Sequence, residues 1–107
     1  MESFGSYIRR LRIENGLNQT ELAAKIGLDS GGLSKVENGK KALKVTKLDL
    51  LANALRVDSK VVKEQFLSEK FAEDCNKFKC SDSVFRLAEE KAKYYKMINV
   101  KQGVINL

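Results

Sequence analysis

The chain predicts an all-α fold, and three features of the sequence carry that prediction. Leu, Ala, Lys and Glu recur at three- and four-residue spacing, the period of a helix with one buried stripe. Runs of Val, Ile, Thr and aromatic residues with a period of two, the mark of half-buried strands, are absent. Capping residues and glycines punctuate the pattern, and no proline interrupts it. The 107 residues, 43% of them hydrophobic, suit one small domain, or a small domain with an appendage.

Taken in order, the punctuation gives five helices that form a bundle and one further helix. Ser3 caps a first helix whose Phe4, Tyr7, Ile8 and Leu11 share a face, and Asn15-Gly16 stops it. Asn18 with Glu21 reads as a capping box for a second helix that ends at Gly27. Asp29 or Ser30 caps a third, closed by Asn38-Gly39. A basic loop from Lys40 to Val45 leads to Thr46 and Asp49, a further capping box, and to the stripe Leu48, Leu51, Ala52 and Leu55. Asp58 or Ser59 opens the fifth helix.

That fifth helix carries Val61, Val62, Phe66, Leu67 and Phe71, a face wider than a small monomer needs. Val61, Val62, Phe66 and Phe71 are therefore the expected homodimer seam. After the charged stretch from Glu69 to Lys79, Ser81 caps a last helix with Val84, Leu87, Ala88, Ala92 and Tyr95 on one stripe. The pattern dissolves after Lys96, and the tail from Val100 to Leu107 is expected to fray. Residues 1–72 thus make the main domain. Residues 73–107 make a helical extension that stabilises a dimer or holds a protein partner.

Composition narrows the function. Twenty Lys and Arg against 14 Asp and Glu give a net charge of +6, a field that favours a polyanionic partner. The excess clusters at Arg9, Arg10 and Arg12 and again at Lys40, Lys41 and Lys44. Without histidine, Cys75 and Cys80 cannot complete a zinc site from this chain's nitrogen and sulfur ligands, and they read as reduced thiols. No metal, no cofactor and no catalytic residue is expected, because neither a nucleophile with its base nor a phosphate-binding glycine loop is present. With no apolar leader near Met1 and no run of ~18 apolar residues, a cytoplasmic protein without membrane contact is expected.

The informative stretch is Gln19 to Asn38, QTELAAKIGLDSGGLSKVEN. Two short helices that cross steeply need a small residue where their backbones approach, here Ala23, and a left-handed turn residue, here Gly27. Leu22, Ile26, Leu28, Leu33 and Val36 fill the angle between them, so the segment after Gly27 faces outward and can enter a DNA major groove.

LNQTELAAKIGL, the Leu33 to Gly39 exit and the later LDLLANALRV together resemble the lambda-repressor, Cro and XRE-type helix-turn-helix family, from about Ile8 to Phe66. The resemblance implies a five-helix DNA-binding domain that works as a dimer on palindromic operators. It places Ser30, Gly31, Gly32, Ser34 and Lys35 on the exposed start and outer face of the recognition helix, within reach of base edges. Gln19, Asn38, Lys40, Lys41 and Lys44 fall where the phosphate backbone would be gripped. Glu37 would be repelled by phosphates and is expected to pair with Arg9, Arg10 or Arg12.

Gly31-Gly32 departs from the family, which often carries Gln, Arg or Thr there. Direct readout then rests on Ser30, Ser34 and Lys35 and on DNA shape. Among short members the chain most resembles the controller proteins of restriction-modification systems. Phage-type repressors, and antitoxins or anti-repressors that bind another protein, are the alternative readings.

Overall fold

Ser3 accepts the amide hydrogen of Ser6 at 3.1 Å and starts α1, Phe4–Glu14. Asn18 and Glu21 bond reciprocally at the start of α2, Gln19–Lys25, with the Asn18 side chain accepting from Glu21 at 2.8 Å and the Glu21 side chain from Asn18 at 2.9 Å. Asp29 caps α3, Ser30–Glu37, and a 3-10 turn, Val45–Lys47, runs into α4, Leu48–Leu55. Two long helices follow, α5, Ser59–Lys77, and α6, Ser83–Lys101. This computed structural model describes residues 1–101; the tail beyond them, on which most of the expectation of fraying falls, lies outside the described residues. Among the described residues all regular structure is helical.

Three of the expected helix ends differ. Thr46 and Asp49 form no capping box, because the 3-10 turn already satisfies the amides there: Lys47 donates to the Lys44 carbonyl and Leu48 to that of Val45. Asp49 instead accepts from the Ser59 hydroxyl and from Lys63 at 3.0 Å, which ties α4 to α5 and holds its carboxyl below the ordinary value. The last helix begins at Ser83, and the Ser81 hydroxyl meets the Ser83 hydroxyl at 2.8 Å rather than capping a backbone amide. That helix also continues past Lys96 and Val100 to Lys101.

The chain divides into two units, Met1–Lys70 and Phe71–Leu107. In the first, Ile8, Leu22, Ile26, Leu33, Leu48, Leu51, Leu55 and Val62 are the large side chains with essentially no exposure, so every helix of the bundle contributes to one core. Phe66 packs edge-to-face on Phe4 with ring centroids 5.4 Å apart. Beside it, Glu69 accepts the Phe4 amide hydrogen at 2.9 Å, a carboxylate at the positive end of α1.

The packing divides the four residues expected at the dimer seam. Val62 is wholly buried and Phe66 is 9% exposed, and both belong to the bundle's own core, where Phe66 packs on Phe4 of α1. Val61 is exposed, and Phe71 belongs to the second unit, where it packs on Phe85 at 5.5 Å. A wide apolar face read from spacing alone does not say which part turns inward; here the inward part took two of the four residues.

Gly5 is a contact that spacing does not show. A methyl group built there would lie 2.4 Å from the Glu37 carbonyl oxygen and 2.6 Å from that of Val36, so α1 and α3 touch backbone to backbone. Next to this contact Arg12 grips Glu37 with two bonds, 2.7 Å and 3.1 Å, and the side chains are only 11% and 2% exposed. The third Arg12 bond goes to the Leu17 carbonyl at 3.0 Å. The buried pair is therefore geometrically complete, and no buried side-chain nitrogen or oxygen is left without a partner among the described residues.

Two substitutions test the α1–α3 contact by thermal and urea denaturation. Gly5→Ala gains up to about 1 kcal/mol of helix propensity but forces two backbones apart, and a net loss of about 1–3 kcal/mol is expected; unchanged stability would mean that the helices are not in backbone contact. Glu37→Gln leaves the Arg12 charge buried without a counter-charge and is expected to cost about 3–5 kcal/mol.

Candidate nucleic-acid interface

The turn between α2 and α3 is built by Gly27, whose φ of +71° lies in the left-handed region, and by the Leu28 amide, which reaches back to the Ala23 carbonyl at 2.8 Å. Ala23 is 1% exposed, and α2 packs on α3 across it with Leu22, Ile26 and Leu33 wholly buried. One face of α3 is thereby spent: Leu33, Val36 and Glu37 point inward.

The opposite face carries the residues expected at base edges. Ser30, Gly31 and Lys35 are exposed, and Gly32 and Ser34 are half-exposed. The five share the outer surface of one short helix. Asp29 accepts the Gly32 amide hydrogen at 2.6 Å, so the start of that helix is fixed by its own cap. A methyl group at Gly31 would meet nothing closer than the Asp29 carboxylate at 3.8 Å; at Gly32 the same oxygen would lie at 2.9 Å, on a side chain that can swing aside. Neither glycine is demanded by packing, and neither has a positive φ. Together they leave the first turn of α3 bare of side-chain bulk.

Asn38, Lys40, Lys41 and Lys44 follow directly and are all exposed. Gly39, with φ of +72°, and the Lys40 amide bonded to the Lys35 carbonyl at 2.8 Å turn the chain out of α3. Asn38 lies 3.4 Å from the Ser34 hydroxyl, which links the exit to the outer face. Among the described residues Lys35, Lys40, Lys41 and Lys44 take part in no ion pair, so their charge is unspent.

Gln19 stands apart from the rest of the expected backbone set. It occupies the first position of α2, half-buried, and its Nε2 donates to Glu37 Oε1 at 3.0 Å. One amide hydrogen is thus committed inside the protein; the second hydrogen and the carbonyl oxygen remain for other partners. Of the three arginines expected to pair with Glu37, it is Arg12 that does so, while Arg10 bonds Glu2 and Glu14.

Lys47 is a residue that the sequence reading missed. Its Nζ donates to the Ile26 carbonyl at 2.9 Å and reaches that of Gly27 at 3.4 Å, a cation at the negative end of α2. With Lys41, Lys44, Leu28, Gly32 and Val36 it lines a cavity of about 210 Å³ beside the start of α3. Its position in the supposed capping box between Thr46 and Asp49 hid it. Elsewhere Cys75 and Cys80 are free thiols, and no group of three metal-ligating side chains occurs among the described residues. No helix among them is long and apolar enough to cross a membrane.

Comparison with known proteins agrees with this geometry. A helix-turn-helix family model matches residues 8–61. The HTH-type transcriptional repressor RghR of Bacillus subtilis strain 168 is 41% identical over 58 residues, which are 53% of this chain and 43% of that protein; the chain therefore matches less than half the length of this relative. Among solved structures, the restriction-modification controller protein C.AhdI from Aeromonas hydrophila is 34% identical, with a TM-score of 0.51 over 55% of this chain and 86% of its own. The wild-type controller protein C.Esp1396I is 31% identical, with a TM-score of 0.50 over 65% of this chain and 92% of its own. The chain belongs to the XRE-type helix-turn-helix family of DNA-binding transcription regulators.

Proposed function

We propose that this chain is a sequence-specific regulator that binds a palindromic operator as a homodimer in the cytoplasm, and that it is the controller of a restriction-modification system. The observation that carries the reading is the outer face of α3. Five small or long-reaching residues, Ser30, Gly31, Gly32, Ser34 and Lys35, lie on one exposed surface, continued by the unpaired Lys40, Lys41 and Lys44. The likeness to C.AhdI and C.Esp1396I supports the controller role.

Chemically, α3 enters the major groove with its bare first turn against the base edges. Lys35 donates to guanine O6 or N7, and the Ser30 and Ser34 hydroxyls donate to or accept from any base they reach. Gly31 and Gly32 let the backbone approach a thymine methyl closely. Asn38, Lys40, Lys41 and Lys44 hold the phosphates after α3, and the free side of the Gln19 amide holds one at the start of α2. A single α3 reads too few base pairs to find one site in a genome; two copies with recognition helices ~34 Å apart multiply the discrimination.

Selection from random duplex DNA followed by footprinting tests this directly and is expected to return two inverted half-sites one helical turn apart. Affinity is expected to fall with salt at about −0.9 in log-log slope for each phosphate neutralised; salt-independent binding would defeat the proposal. Lys35→Ala is expected to relax base preference at one position per half-site, with a cost of about 1–3 kcal/mol on the preferred site. Lys40→Ala should instead weaken binding to all sequences alike and flatten the salt slope by about one. Should the two variants behave identically, Lys35 touches only phosphate.

A further inference from the structure

Each of the helices α1 to α5 leaves by one kind of turn, a left-handed residue followed by an amide that reaches back to the carbonyl five positions earlier. That turn sets the side chains of the two bonded residues against each other, and an apolar pair commonly fills the contact. Ala23 with Leu28 and Ala52 with Val57 follow this rule, and all four pack in or against the core. At the end of α5 the pair is Cys75 and Cys80.

Here the Cys80 amide donates to the Cys75 carbonyl at 3.0 Å and the Lys79 amide to that of Asn76 at 3.3 Å, with Lys79 at a φ of +54°. With standard backbone dimensions the first bond holds the two Cα atoms no more than about 7 Å apart, within the limit at which a disulfide closes without backbone movement. Cys80 is exposed and Cys75 half-buried, and both lie in the second unit. Partial burial first, then the neighbouring Cys80 and Asp74, hold the Cys75 thiol above its ordinary value. So direct an influence of Cys80 is what two facing sulfur atoms produce. Disfavoured as a thiolate, Cys75 is also a poor leaving group, which helps a disulfide formed at this turn to persist.

We propose that Cys75 and Cys80 are a redox modification site, which a small-molecule disulfide oxidises to an intrachain disulfide across the end of α5. The exposed Cys80 loses its proton and its thiolate attacks one sulfur of the reagent; the bond from Cys80 to the reagent forms, the reagent's own S–S bond breaks, and one reagent thiolate leaves. Cys75 then gives up its proton and attacks the Cys80 sulfur, expelling the second reagent thiolate. The two protein thiols lose two electrons to the reagent, and their two protons complete the two reagent thiols. In a reducing compartment such a bond is transient and reports the oxidant. Its structural effect falls on Lys79, a residue that suffers a steric cost in the left-handed region where glycine suffers none. Reduced, the turn is held by its two backbone bonds; oxidised, it is closed covalently.

The test incubates the folded full chain with excess glutathione disulfide and follows its intact mass. Both thiols are expected to be lost, with the mass falling by two hydrogens and no glutathione retained, and dithiothreitol is expected to restore them. Lys77 and Lys79 lie between the cysteines, so tryptic cuts there should leave the fragments carrying Cys75 and Cys80 joined until reduction. Cys75→Ser should stop at one glutathione held on Cys80. At equilibrium with the glutathione pair, closure should be favoured about tenfold or more over the same chain in urea. Lys79→Val, which disfavours left-handed backbone, should lower that gain, and Lys79→Gly should keep it. A folded chain that keeps both thiols, holds two glutathiones or links only chain to chain overturns the proposal. Closure no better than in urea overturns it too, and leaves Cys75 and Cys80 as an apolar contact alone.

Discussion

The bundle depends on how α1 holds α3. Gly5 lets the two backbones touch, and Arg12 then reaches Glu37 with a two-pronged bond in a setting from which water is largely excluded. A methyl group at the first position, or a missing carboxylate at the second, would change the separation or leave a charge uncompensated. Because Glu37 also accepts from Gln19, the same carboxylate fixes the start of α2. The angle of α3 is therefore set from behind, by the Gly5 contact and the buried Arg12–Glu37 pair. Lys47 completes the frame from the other side by binding the carbonyl end of α2.

Such a frame explains how α3 tolerates two glycines in its first turn. Each costs roughly 1 kcal/mol of helix propensity, and neither is required by packing or by backbone conformation. The Asp29 cap, the wholly buried Leu33 and the Glu37 anchor hold the helix where its own composition would not. A rigid helix with a bare leading surface can approach a partner closely, and its discrimination then depends on few side chains and on partner shape.

The two units differ in kind. The first gathers residues from each of its helices into one core, including the Val62 and Phe66 that spacing had offered to a second chain, and leaves Val61 and Leu67 exposed. The second leaves most of its aromatics half-exposed or more.

Much of the fold was legible because its signals are local. Ser3, the Asn18–Glu21 box, Asp29 and the glycines at 16, 27 and 39 act over about one helical turn, and a chain carrying them forms those ends wherever it is placed. Ala23 and Gly27, with the apolar residues around them, likewise specified the α2–α3 pair and hence which face of α3 looks outward. Sequence alone thus determined the helical class, the helix-turn-helix and the outward set from Ser30 to Lys35. Only the tertiary structure decided which arginine Glu37 takes, that Gln19 shares it, that Lys47 caps α2, and that α5 turns Val62 and Phe66 inward. Those choices join residues from 18 to 65 positions apart, as with Gln19 and Glu37 or Phe4 and Glu69. Local preference does not rank partners at such separations; the packing of the whole bundle does.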